Sequence, residues 1–240
     1  MFVLLPGNVD AGNCVDVLSQ RRLGSGLSVD VWDGRAYLGT EGSLIIADLT
    51  NLSHPRTIGS LEVSDWVRAV AARDGFAFVA ASSTGLIVVD VSNPVQPIQI
   101  GALAIPGGAW DIALAADHAL LADLAAGIRA IDISLPSAPV EVGFLPVANG
   151  TYGIAIDGTL ALIAGDHDFL VVDISQPAAP AVTGGIYGFA NYQSVVASDG
   201  LAYVGDALEG LEDCGSLMSQ TPRHRRRWRR SKATKLLRMS

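Results

Sequence analysis

The sequence predicts an all-β chain folded as a β-propeller of four-stranded blades. Three observations carry that prediction: a repeat of about forty-two residues, an apolar strand ending in Asp in each copy, and Asp-Gly turns between short strands. Four strands end alike, at Leu44-Ile-Ile-Ala-Asp48, Leu86-Ile-Val-Val-Asp90, Ile128-Arg-Ala-Ile-Asp132 and Phe169-Leu-Val-Val-Asp173, with steps of 42, 42 and 41. A Pro series (Pro55, Pro97, Pro139, Pro180) and a Gly series (Gly59, Gly101, Gly143, Gly184) keep the same steps. Three markers in one register identify a structural repeat, and a period of this size decides the fold.

Within the first copy the strands are expected at Val29 to Trp32, Ala36 to Gly39, Leu44 to Asp48 and Arg56 to Leu61. The turn Asp33-Gly34 separates the first two, and the pair returns as Asp74-Gly75, Asp157-Gly158 and Asp199-Gly200. Asp-Gly supplies the positive φ angles of a two-residue hairpin. No 3.6-residue apolar period is long enough for a helix. Complete repeats run over 28–69, 70–111, 112–153 and 154–194, and a fifth starts at Val195 and breaks after Leu211. With partial blades at both ends, about five blades are expected. The motif Asp residues, 48, 90, 132 and 173, are expected to accept hydrogen bonds from the turn that follows rather than to bind a cation.

The blocks Leu86-Ile-Val-Val-Asp90-Val-Ser-Asn-Pro94 and Phe169-Leu-Val-Val-Asp173-Ile-Ser-Gln-Pro177 closely resemble the LVIVD repeat. The resemblance spans about residues 28–211. It implies a propeller-type fold and, from relatives that are exported or surface-attached, an extracellular or cell-surface location. It brings no shared catalytic residues.

Composition divides the chain into three parts. Residues 28–211 hold the repeats; residues 1–27 hold Cys14-Val15-Asp16-Val17, which resembles part of a blade; residues 212–240 form a basic tail without an apolar pattern, expected to be disordered. Residues 1–222 carry seven Arg, no Lys and all 24 acidic residues, a formal −17, whereas residues 223–240 carry nine basic residues and no acid. An acidic body repels nucleic acid and anionic membranes, so nucleic-acid binding through the tail is disfavoured. Apolar runs of four to six residues are too short to span a membrane as helices, the N-terminus does not read as a secretory signal, and two cysteines define no disulfide framework.

Loops fall on two faces. The face bearing the blade-to-blade connections departs most from the repeat and carries an aromatic residue before each innermost strand: Trp66, Trp110, Tyr152 and Tyr192. With Arg68 and Asp111 these are the candidate ligand-binding residues, suited to a protein or a carbohydrate-like or anionic ligand. The alternative use of the rings is to plug gaps between blades. Asp166 and Asp168 flank His167 and are the candidate metal ligands, a divalent cation being the one cofactor the sequence suggests; strand alternation predicts that His167 points away from both. The expected function is a non-catalytic binding or protein-interaction module. The alternative is a metal-assisted hydrolase or lyase at the channel mouth using Asp111, Asp166 or Asp168.

The break after Leu211 has an explanation in the genetic code. Read one base later, the codons from Asp213 onward can spell Ile-Val-Asp-Leu-Ser-Cys-Pro, which sets an Asp 42 residues after Asp173. We expect re-sequencing of the locus to restore that frame. A related gene that also encodes the Arg-rich end in an unbroken frame contradicts it.

Overall fold

A computed structural model describes residues 26–206, apart from residues 149 and 199, together with residues 235–238. The first sheet is a meander of β1 (Gly26–Trp32), β2 (Arg35–Thr40), β3 (Ser43–Asp48) and β4 (Arg56–Glu62). The second holds β5 (Val67–Arg73), β6 (Phe76–Ala81), β7 (Gly85–Asp90) and β8 (Ile98–Leu103), and the third β9 (Ala109–Ala115), β10 (His118–Asp123), β11 (Gly127–Asp132) and β12 (Val140–Pro146). The fourth begins with β13 (Thr151–Asp157), β14 (Leu160–Asp173) and β15 (Ala181–Ser198), and continues into β16 (Leu201–Asp206) and β17 (Lys235–Arg238). All pairings are antiparallel, and the four sheets form a four-bladed β-propeller.

The apolar signature has a direct cause. In the central strand β7, Ile87 and Val89 face the first sheet, where they join Tyr37, Ile46, Val70 and Val79. Leu86 and Val88 face the third, where they join Phe78, Ile112, Leu121 and Ile131. A strand sandwiched between two sheets is buried on both sides, so it reads as a continuous apolar run instead of an alternating one. Each fully buried Val, Leu or Ile contributes about 1.5–3 kcal/mol. The same arrangement joins the third and fourth sheets through Leu120, Ile128, Ile154 and Ile163.

Sheets converge at their first strands, β1, β5, β9 and β13, which lie side by side in that order. Two carboxylates bridge neighbouring first strands. Asp30 accepts from the Ala72 N–H at 2.7 Å, and Asp111 accepts from the Ile154 N–H at 2.8 Å.

The motif Asp residues close the loops on one face. Asp48, Asp90, Asp132 and Asp173 each accept, at 2.8–2.9 Å, from the backbone N–H two residues on, at Thr50, Ser92, Ser134 and Ser175. Hydrogen bonds from those residues hold all four carboxyls below the usual Asp range. The residue after each Asp donates to the hairpin turn of its own sheet, as Val91 does to the Gly75 carbonyl at 2.8 Å. Pro94, Pro136 and Pro177 then take the second position of turns in which the Gln96, Ala138 and Ala179 N–H groups donate to the Asn93, Leu135 and Gln176 carbonyls, a position that a fixed φ suits.

The Gly series is explained by what lies beside it. A Cβ on Gly59, Gly101 or Gly143 would overlap the carbonyl oxygen of Pro94, Pro136 or Pro177, which belongs to the next blade. The outer strand of each of the first three blades therefore receives the Asp-Pro loop of its successor. A Cβ on Gly184 would meet nothing within 4 Å.

Two local expectations shift. Asp157 pairs with Leu160, so the fourth hairpin turns at residues 158 and 159 with Gly158 at φ 60°, one residue later than the Asp-Gly pattern implied. Glycine takes the left-handed position there, the place Asp33 (φ 48°) and Asp74 (φ 53°) hold in earlier blades. In the tail expected to lack structure, Lys235–Arg238 pairs with β16, with Arg238 opposite Leu201. That is the register of Asp48 opposite Arg35, so Arg238 stands at the motif-Asp position. The N-terminal piece 1–25 and the suspected frame break at 213 lie outside the described residues.

Substituting Gly101→Ala is expected to cost about 1–3 kcal/mol, because the methyl group must displace the Pro136 backbone. Gly184→Ala is expected to stay within about 0.5 kcal/mol. Urea denaturation of both variants checks the pair.

Candidate functional site

The face of the blade-to-blade connections is organised by a repeated irregularity. In each first strand, and again where β15 pairs with β16, the pairing skips one residue: Leu27 between Gly26 and Ser28, Arg68 between Val67 and Ala69, Trp110 between Ala109 and Asp111, Tyr152 between Thr151 and Gly153, and Gln193 between Tyr192 and Ser194. A β-bulge leaves one residue outside the ladder and re-aims its side chain. The equivalent positions are thus Leu27, Arg68, Trp110, Tyr152 and Gln193.

Three of them stack in a row. The Arg68 guanidinium carbon lies 4.1 Å from the centroid of the Trp110 ring and 4.5 Å from that of Trp66. Trp110 meets Tyr152 edge to face at 5.8 Å. Trp66 is 44 % exposed and forms the outer end of the row. It sits two residues before the bulge, on a connection held by Asp65, which accepts from the Trp66 N–H at 2.7 Å, the Ser83 hydroxyl at 2.6 Å and the Thr84 N–H at 3.1 Å. Burial works to raise the Asp65 pKa, and these hydrogen bonds outweigh it and leave the carboxyl below its ordinary value.

Tyr192 does not join the row. It precedes the bulge, in register with Val67, Ala109 and Thr151, and like them it is buried, 2 % exposed and edge to face with Phe169 at 6.5 Å. Asp111 also turns inward. One oxygen accepts from the Ile112 N–H and the other from the Ile154 N–H, each at 2.8 Å, so the carboxylate ties β9 to β13. Burial pushes its pKa up to about 6 against the pull of both hydrogen bonds.

Asp166 and Asp168 flank a break in the pairing of β14 with β15, where His167 stands at φ 79°. Left-handed backbone interrupts the pleat, so the alternation expected to turn His167 from both carboxylates fails. Its Nε2 lies 3.8 Å from Asp166 Oδ1. Among the described residues no three His, Cys, Asp or Glu side chains gather as a metal site.

One network on this face gave no sequence signal beyond its charges. Asp123, buried at a strand end, takes Arg129 Nε at 2.7 Å, and the Arg129 guanidinium also grips Glu141 at 2.9 Å and covers the Phe144 ring at 4.7 Å. It fastens β10, β11 and β12 together.

Fold and face together define a β-propeller repeat module. The LVIVD repeat family model matches residues 24–63, 66–104, 106–145 and 150–186, and the chain belongs to that family. Among solved structures, it is similar to the computationally designed Ika8 protein, at 12 % identity and TM-score 0.61 over 75 % of this chain and 55 % of that one. It is also similar to a functionally unknown protein from Desulfotomaculum acetoxidans DSM 771, at 16 % identity and TM-score 0.66 over 79 % and 65 %. The match therefore spans less than two thirds of the length of each of these two solved chains, and at such identities the likeness concerns the fold. No curated protein matches this chain.

Asp111 makes a pH prediction with a definite sign. Its folded pKa of about 6 exceeds the unfolded value, so between about pH 4 and 6 the folded state keeps a proton that the unfolded state has released. Stability from this group falls as pH rises through that window. Unfolding free energies of wild type and Asp111→Asn at pH 4 and 7 are expected to diverge by about 2–3 kcal/mol, with wild type losing more on the alkaline side.

Proposed function

We propose that the protein is a non-catalytic binding module whose ligand face is the connection side of the propeller, centred on Trp66, Arg68, Trp110 and Tyr152. The observation that supports this most is the bulge at the same place in each first strand, which lifts Arg68, Trp110 and Tyr152 out of the ladder into one row. Bulges of this kind cost regular pairing and cluster where a side chain must be aimed. Rigid aromatic groups beside a cation form the typical anchor of a recognition patch.

Asp111 and Tyr192 position this face from beneath. Asp111 spends both oxygens on backbone donors, and Tyr192 packs against Phe169. The ligand classes that suit the remaining row are a protein surface or a carbohydrate.

Screening against glycan and peptide arrays tests the reading. A true ligand is expected to bind at least about tenfold more weakly to Trp66→Ala, the loss typical of an anchor residue, and equally to Ser137→Ala on the opposite face. A ligand that loses affinity with Ser137→Ala and keeps it with Trp66→Ala places the working surface on the Asp-Pro side.

A further inference from the structure

We infer that the face recognises a carboxylate on a sugar ring, a uronic acid unit of a saccharide, with Arg68 as its anion-binding residue; this rests on the binding-module reading above. Among the arginines whose side chains are described, four are ion-paired: Arg35 with Asp33 at 3.5 Å, Arg56 with Asp48 at 3.4 Å, Arg73 with Asp74 at 3.4 Å, and Arg129 with Asp123 at 2.7 Å. Arg68 has no carboxylate partner among the described residues. Its Nε is buried and makes no hydrogen bond there.

The neighbouring acids are turned elsewhere. Asp65 is spent on Trp66, Ser83 and Thr84, Asp111 on Ile112 and Ile154, and Asp123 on Arg129. Among the described arginine side chains one guanidinium is thus left without a carboxylate, its carbon 4.1 and 4.5 Å from the centroids of two indoles. Stacking fixes the planar fork and strips part of its water, and a guanidinium held in this way suits a carboxylate, which it can grip with two parallel hydrogen bonds.

Charge and shape narrow the ligand further. A formal −17 over residues 1–222 repels a dense polyanion such as a phosphate chain, and a single guanidinium neutralises a single carboxylate. Beside it, Trp66 is 44 % exposed and offers indole surface against which the apolar side of a pyranose ring can pack. Sugar ring and carboxylate on one unit match indole and guanidinium on one row.

Intrinsic tryptophan fluorescence and calorimetry with the full chain test this. The probes are a neutral oligosaccharide ending in a single galacturonate, its methyl ester, the same oligosaccharide without the uronate, and a peptide with a single glutamate. The singly charged uronate is expected to bind, the ester at least tenfold more weakly, and Arg68→Lys to lose a similar factor while melting at the wild-type temperature. The ester arm needs no variant and so stands even if Arg68→Lys misfolds. Equal binding of ester, neutral saccharide and uronate, weakened by Trp66→Ala, overturns the carboxylate while leaving the binding face intact. Arg68-dependent binding of the glutamate peptide without uronate binding overturns the saccharide in favour of an acidic peptide. Binding by none of the four probes overturns this proposal alone, because the array screen with Trp66→Ala tests the face separately.

Discussion

Everything in this molecule hangs on one close approach, the carbonyl of a loop proline against a glycine of the preceding blade. At Gly59, Gly101 and Gly143 there is no room for even a methyl group, because the loops that carry Pro94, Pro136 and Pro177 lie on the glycine backbone. The loop reaches that place in one shape because the motif Asp accepts from the N–H two residues on and the proline sets the next turn. Asp, Pro and Gly thus act as one joint although they are far apart along the chain. The apolar central strands then pack on both sides of a spacing that the joint has already set.

Much of the fold was legible because that joint leaves residues of fixed type at fixed steps. A glycine forced by contact and an Asp forced by a turn cannot drift, so the period shows in the sequence itself. The ends of the repeat were less legible. Nothing in Gly158-Thr159 announces that the fourth hairpin turns one residue later, since Asp-Gly satisfies either register. The pairing of Lys235–Arg238 with β16 has no apolar repeat behind it, and backbone hydrogen bonds at a free strand edge accept almost any sequence.

The working face shows the opposite case. Spacing alone aligned Trp66, Trp110, Tyr152 and Tyr192, yet only Trp110 and Tyr152 share a position. Side chains along a strand alternate, so an offset of one residue sends Tyr192 into the core beside Phe169, while Arg68 takes the place the spacing had given to Trp66. A bulge carries no residue signature, and only the register reveals it. The tie made by Asp111 was hidden for a related reason: one oxygen accepts from the N–H of the next residue, Ile112, and the other from Ile154, forty-three residues away on the neighbouring strand, a partner that spacing along the chain does not announce.

The joint between blades also bears on how such a chain arises. Each repeat carries one half of the joint for the blade before it and the other half for the blade after it, so a tandem duplication of the coding segment inserts a unit that already fits both neighbours. No compensating change is required at the seams. Blade number is then free to vary by copying, while the bulged residue of each first strand can diverge separately, and new specificities can accumulate on a scaffold whose assembly rule never changes.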